Sequence, residues 1–234
     1  MFSNFKKVTL LLTLCIVGVP SVLAQGFPQP EDAIEAYVAG IKNQDFDAIL
    51  AATAVDHMSK RLDFVGQVDR LQSLSIRSPL PPTSDLYVAM NRAEFVNDIA
   101  MAMKVFTFTL LSDGEMQIGE TMRMKAEGAV TFSQTVDTTR LSGLSLIKIG
   151  IPEPTLVKSK VYQANASVRA RTFGADDLVE RVALLTFEGE SFVLGFTLLR
   201  YQEGWSVLIP GSQVAGLIAN PQRSTHEKFD MMID

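Results

Sequence analysis

Apolar residues recur along this chain with two different periods, and the change falls near Leu144. Before it the spacing is helical. Ile34, Tyr37, Val38 and Ile41 stand at i, i+3, i+4 and i+7, the stripe of an amphipathic helix. Pro30 suits its first turn, and Glu31 and Asp32 put negative charge at the positive end of the helix dipole. Asn43-Gln44 breaks the pattern, and Asp45 can cap a second helix that turns Phe46, Ile49 and Leu50 inward. Met58, Leu62, Val65 and Leu71 predict a third helix ending near Leu74, and the proline-rich run Ser78–Ser84 predicts a stiff linker. Asn91-Arg92-Ala93-Glu94 has the spacing of a capping box. It predicts the start of a long helix through Phe95, Ile99, Met103 and Phe106 to about Leu111, apolar nearly all round from Ile99 and so expected in a core. Ser112-Asp113-Gly114 ends it, and residues 115–143 read as short helix and turn.

From Leu144 the period is two. Leu144–Gly150 predicts a short strand, closed by Pro152 and Pro154. Tyr162, Ala164, Ala166, Val168 and Ala170 alternate with Gln163, Asn165, Ser167, Arg169 and Arg171, which predicts a strand with one dry and one wet face. Val179–Phe187 and Phe192–Tyr201, joined by the turn Glu188-Gly189-Glu190, and the strand Trp205–Ile209 after them are all apolar on both faces. Gln202-Glu203-Gly204 turns again into Trp205–Ile209, which Pro210 ends. Helices followed by a meander of antiparallel strands make an α+β plan, with the sheet covered on both faces.

Two segments carry a resemblance. AIEAYVAGIKNQDFDAIL (Ala33–Leu50) and the closing hairpin RYQEGWSVLI (Arg200–Ile209) resemble the nuclear transport factor 2-like superfamily. There a helix bearing an aromatic precedes Asn/Asp-Phe/Tyr and a second short helix, and a strand bearing Trp closes the fold. The resemblance implies N-terminal helices packed against a curved antiparallel sheet, a cystatin-like α+β cone with an internal pocket. It implies a single domain over residues 25–234, with a helical insertion at about 75–143. It leaves activity open, because isomerases, dehydratases, carriers and inert scaffolds share that fold.

The N-terminus changes the compartment. Lys6 and Lys7, an apolar run from Val8 to Val19, and Val22-Leu23-Ala24 form the three parts of a cleavable signal peptide over residues 1–24, with Gln25 as the new N-terminus. The apolar run is too short to cross a hydrocarbon core about 30 Å thick, and no stable membrane span is expected. Cleavage removes Cys15, the only cysteine, and both lysines from a chain whose formal net charge is already −5. The exported product is therefore expected to be thiol-free and acidic, periplasmic or secreted. With no basic stretch, nucleic acid is not an expected partner.

Recognisable catalytic or metal motifs are missing. The two histidines, His57 and His226, have no paired ligand spacing, and His226 falls in a polar tail expected to fray. Met101 and Met103 point about 200° apart if helical, so they cannot grip one ion; Met122 and Met124 could do so only on a strand. Methionine here reads as core filler. No metal or cofactor is implied. The expected ligand-binding residues are the aromatics Phe196, Tyr201 and Trp205, which could line a hydrophobic pocket, and Arg169 and Arg171, which would share the wet strand face and could hold an anion or a partner carboxylate. These point to a non-catalytic binding or scaffold module whose partner is an apolar small molecule or lipid, or a protein, a second copy of the chain included. The alternative is an isomerase- or dehydratase-type enzyme. It would need a pocket carboxylate (Asp47, Asp56 or Glu180) beside a tyrosine hydroxyl (Tyr37, Tyr162 or Tyr201).

The N-terminal pattern generates one prediction. N-terminal sequencing of the exported product by mass spectrometry should begin at Gln25, give or take a few residues. Intact Met1 recovered in the membrane fraction would contradict the signal peptide.

Overall fold

The computed structural model describes residues 26–112, 123–202 and 204–233. Residues 1–25, expected to hold a signal peptide and its cleavage point, and residues 113–122, with Met122 of the second Met-x-Met pair, lie outside these residues. The fold is α+β: helices packed against an open, curved, antiparallel sheet.

The N-terminal helices follow the apolar spacing closely at first. Helix α1 (Pro30–Lys42) buries Ile34, Tyr37, Val38 and Ile41. Asp45 caps α2 (Phe46–Ala51) by accepting the Ala48 N–H at 2.9 Å. Ile49 is buried and Leu50 half-buried, whereas Phe46 stays exposed. The single helix expected over Met58–Leu74 is instead two, α3 (Val55–Arg61) and α4 (Phe64–Leu71). Leu62 is extended between them, and Asp63 starts α4 by accepting the Gly66 N–H at 2.9 Å. Met58 and Leu62 are buried, but Val65 and Leu71 face solvent.

Helix α5 (Asp85–Leu111) starts at Ser84, whose hydroxyl accepts the Tyr87 N–H, and not at Asn91. Asn91 is buried within the helix. Its side chain accepts from Leu80 N–H at 2.7 Å and donates to Leu80 O at 2.8 Å, pinning the proline-rich linker to α5. Ile99, Ala102, Phe106, Leu110 and Leu111 are buried, while Met101 is exposed and Met103 is half-buried, the split that a helix imposes at i and i+2. Next come α6 (Ala126–Thr135) and a 3-10 turn, Thr138–Gly143. Among the described residues no helix is long and apolar enough to cross a membrane.

The sheet runs β1 (Ser145–Gly150), β2 (Asp177–Phe187), β3 (Glu190–Tyr201) and β4 (Gly204–Pro210) in that spatial order. A two-residue β5 (Gln222–Arg223) pairs with β3 beyond the end of β4. Glu188 and Gly189 both have positive φ, 49° and 84°, which gives the two-residue turn whose twist matches the β2–β3 hairpin. One face of β3 carries Phe196, which meets Tyr37 of α1 edge to face at 5.7 Å. On the other face, Val182, Leu184 and Val193 pack against Leu217 and Phe229 of the C-terminal segment. The tail expected to fray is therefore a helix, α9 (His226–Ile233), anchored by the fully buried Phe229. The outer edge of β4 is covered too: Trp205 bridges to Phe27, and Val207 pairs with residues 52–54.

The largest departure from the sequence expectation is residues 162–170. They form no strand but lie within α8 (Lys160–Thr172), a helix after the four-residue α7 (Pro154–Val157). Ser159 caps α8 through the Tyr162 N–H at 3.2 Å. The dry residues of the alternation are mostly alanines, the best helix former and a poor strand former. Only Ala166 and Ala170, at i and i+4, are buried.

Phe196 is fully buried and Trp205 only half-buried. Phe196→Ala should lower unfolding stability by about 3–5 kcal/mol, and Trp205→Ala by clearly less. Urea denaturation of both variants checks the order; an equal or larger loss for Trp205→Ala would contradict this packing.

Candidate functional site

Helix α8 lies across the start of β2, and the loop after β4 sits beside it. Between them is Glu180, a carboxylate only 2% exposed. It stands on the same face of β2 as Val182 and Leu184, where an apolar side chain would otherwise be expected. Ser212 Oγ donates to its Oε2 at 2.6 Å, and the Val214 N–H donates to the same oxygen at 3.0 Å. Arg169 from α8 brings a guanidinium nitrogen to 3.5 Å from Oε1 and donates to Gln213 Oε1 at 3.1 Å. Glu180 thus joins the sheet, α8 and the 212–214 loop. The loop can lie this close to β3 because of Gly195: a Cβ there would come within 2.5 Å of Ser212 N.

The cleft beside Glu180 has a definite origin. Strand β1 pairs with β2 only as far as Gly150 opposite Val182, and no described strand covers that side of Asp177–Arg181. The chain peels away at Ile151, and α8 forms the facing wall. The resulting cleft of about 500 Å³ is lined by Ile151, Val157 and Lys158, by Tyr162 and Ala166 of α8, and by Asp177–Arg181. Glu180 Oε1 and the Tyr162 hydroxyl oxygen are both buried without a hydrogen-bond partner. Burial pushes the Tyr162 phenol up to about 12, with the Glu180 charge adding to the rise.

The other carboxylates and tyrosines weighed from sequence are engaged or isolated. Tyr37 donates to Met103 Sδ at 3.5 Å, and burial raises its pKa; Tyr201 donates to Phe173 O at 3.1 Å. Asp56 pairs with Arg92 at 2.7 Å, and Asp47 is exposed in the first turn of α2. Only Glu180 and Tyr162 share a cleft. Asp98, its carboxyl raised by burial, lines a smaller pocket of about 290 Å³ with Phe95, Ile99 and Leu208.

The residues expected to bind a ligand do not form one group. Phe196 and Tyr201, an odd number of residues apart on β3, point to opposite faces; both are buried in the core. Tyr201 stacks on His57 at 4.5 Å, and Trp205 lies under the Arg200 guanidinium at 5.6 Å. The shared wet face of Arg169 and Arg171 disappears with the strand: Arg169 reaches Glu180, while exposed Arg171 donates to Ser167 O of its own helix. Arg169 alone meets the cleft-lining Glu180. Reading 160–172 as helical places Tyr162, Ala166, Arg169 and Ala170 at i, i+4, i+7 and i+8, one face toward β2. Ser159 as an N-cap was the available signal. Nothing local marks Ile151 and Val157 as cleft residues.

No known family model and no curated protein matches the chain. Among solved structures it is similar to a cystatin-like protein from Ruminococcus gnavus, with a TM-score of 0.53 and 15% identity over 99% of this chain and 50% of that one. The chain thus spans about half the length of that protein. At this identity the likeness is one of fold, and it shows the cystatin-like α+β plan.

The clasp around Glu180 can be tested directly. Glu180→Ala should cost about 2–3 kcal/mol, because the charge-assisted hydrogen bonds from Ser212 and Val214 are lost together. Ser212→Ala should cost less. Chemical denaturation giving less than half a kilocalorie for Glu180→Ala would mean that the loop is held by other contacts.

Proposed function

We propose that this chain is an exported, periplasmic or secreted, non-catalytic binding module of the nuclear transport factor 2-like kind, and that its ligand occupies the cleft between α8 and the uncovered start of β2. The observation that carries this reading is a pair of buried polar atoms without a hydrogen bond, Glu180 Oε1, which has only the Arg169 charge at 3.5 Å, and the Tyr162 hydroxyl, on residues lining the same cleft. A buried polar atom without a hydrogen bond costs about 1–3 kcal/mol. A bound molecule that supplies the missing partners recovers that cost. The apolar wall formed by Ile151, Val157, Leu178 and Val179 favours a ligand with a hydrocarbon body.

The same pair supports a second reading, since a carboxylate and a tyrosine hydroxyl in one cleft are the parts of an isomerase- or dehydratase-type site. Glu180 Oε2 is already committed to Ser212 and Val214, and Arg169 stands against Oε1, so the carboxylate is held as a structural anchor. That favours binding over proton transfer.

Native mass spectrometry of the full chain, purified from its own compartment, should show a small-molecule adduct that Tyr162→Phe diminishes. An adduct unchanged in Tyr162→Phe would place the ligand elsewhere. Deuterium exchange α to a carbonyl of the released ligand, abolished by Glu180→Gln, would replace the binding reading with the enzymatic one.

A further inference from the structure

The charges around the cleft narrow the chemistry of what it holds. Glu180 faces Arg169 at 3.5 Å, Arg181 is paired with Glu31 of α1, and Asp177 lies 3.8 Å from Arg200. Arg181 also donates to Glu180 O at 3.0 Å, so its guanidinium is occupied on both sides. The wall charges are therefore matched in pairs, and Lys158 stands at the exposed rim. A ligand that brought a full charge into the wall would unbalance one of these pairs. An anionic head would meet the buried carboxylate of Glu180, and a cationic head would compete with Arg169 for it.

The unsatisfied atoms ask for a group with both hydrogen-bonding senses. A carboxylate oxygen such as Glu180 Oε1 accepts, and the Tyr162 phenol can donate. A carboxylate can only accept and an ammonium can only donate, so neither complements both. A hydroxyl can do both at once, giving its proton to Oε1 and taking one from Tyr162.

We infer that the cleft binds a neutral, hydroxyl-bearing apolar molecule, an alcohol with a hydrocarbon body, read by Glu180 and Tyr162. This rests on the binding reading above and adds the class of ligand to it. The hydroxyl enters beside Tyr162, and the hydrocarbon lies along Ile151, Val157 and Val179. The hydrocarbon supplies most of the affinity, and the hydroxyl supplies the discrimination between head groups.

The test uses three probes of equal length, 1-octanol, octanoate and octylamine, titrated into the full chain at neutral pH by calorimetry. The amide resonances of Ala166 and Leu178 are followed in parallel by NMR. The alcohol should bind about tenfold more tightly than either charged probe and should shift both amides. Tyr162→Phe should weaken the alcohol by about tenfold, the worth of one hydrogen bond. Octanoate or octylamine binding tightest, with the same amides shifted, would overturn the neutral class while leaving the cleft as the binding site. Absence of any shift at Ala166 and Leu178 with all three probes would overturn the cleft reading itself. The wild-type amide shifts decide between these outcomes even if Tyr162→Phe does not fold.

Discussion

The β2–β3 hairpin is apolar on both faces, and a sheet with two dry faces must be covered twice. Helix α1 takes one face, with Tyr37 against Phe196 and Arg181 paired to Glu31 across the contact. The other face is too long for a single helix and is shared between α8 and the segment that ends in α9. Ala166 and Ala170 bring α8 close to β2, and Leu217 and Phe229 complete the cover over Val182, Leu184 and Val193. Much of the architecture follows from that demand, including the recruitment of a C-terminal tail whose own composition is polar.

Two covering elements on one face leave a seam, and Glu180 occupies it. A buried carboxylate is costly unless it is paired and hydrogen-bonded. Here both ends of the seam contribute: Arg169 from α8, and Ser212 with Val214 from the loop. The arrangement compensates Oε2 fully and Oε1 only by charge. The cleft arises for a separate reason, the early end of β1 at Gly150, yet it opens beside the same residue. The incomplete clasp and the incomplete sheet coincide at Glu180, away from the aromatics of the core.

Several elements were legible because their signals were local or strongly periodic. The stripe Ile34–Ile41 buries as its spacing demands, Asp45 caps α2, and the β2–β3 hairpin turns at Glu188-Gly189. Where the signal was ambiguous the outcome went the other way. Alternating alanines fit a strand by period and a helix by propensity, and the helix won because β2 offers its start as a docking surface for Ala166 and Ala170. Asn91 carried the right spacing for a cap, but Ser84 lies earlier and its hydroxyl takes the Tyr87 N–H. The amide of Asn91 was drawn instead to the backbone of Leu80. Glu180 and Tyr162 were each plausible acid–base groups, but they stood among several. Only the helical form of 160–172 puts Tyr162 and Arg169 on one face toward β2.

By itself the sequence determined the α+β order of elements, the core face of α1 and the two dry faces of the central hairpin. Those depend on residues close along the chain, whose spacing expresses the helix and strand periods directly. Tertiary structure alone decided which segments would cover the second face, which of the tyrosines and carboxylates would lose their partners, and where the cleft would open. These outcomes depend on contacts between residues far apart in sequence, Glu180 with Ser212 and Arg181 with Glu31. Composition and periodicity carry no record of such contacts, because each partner's local pattern is compatible with many other neighbours.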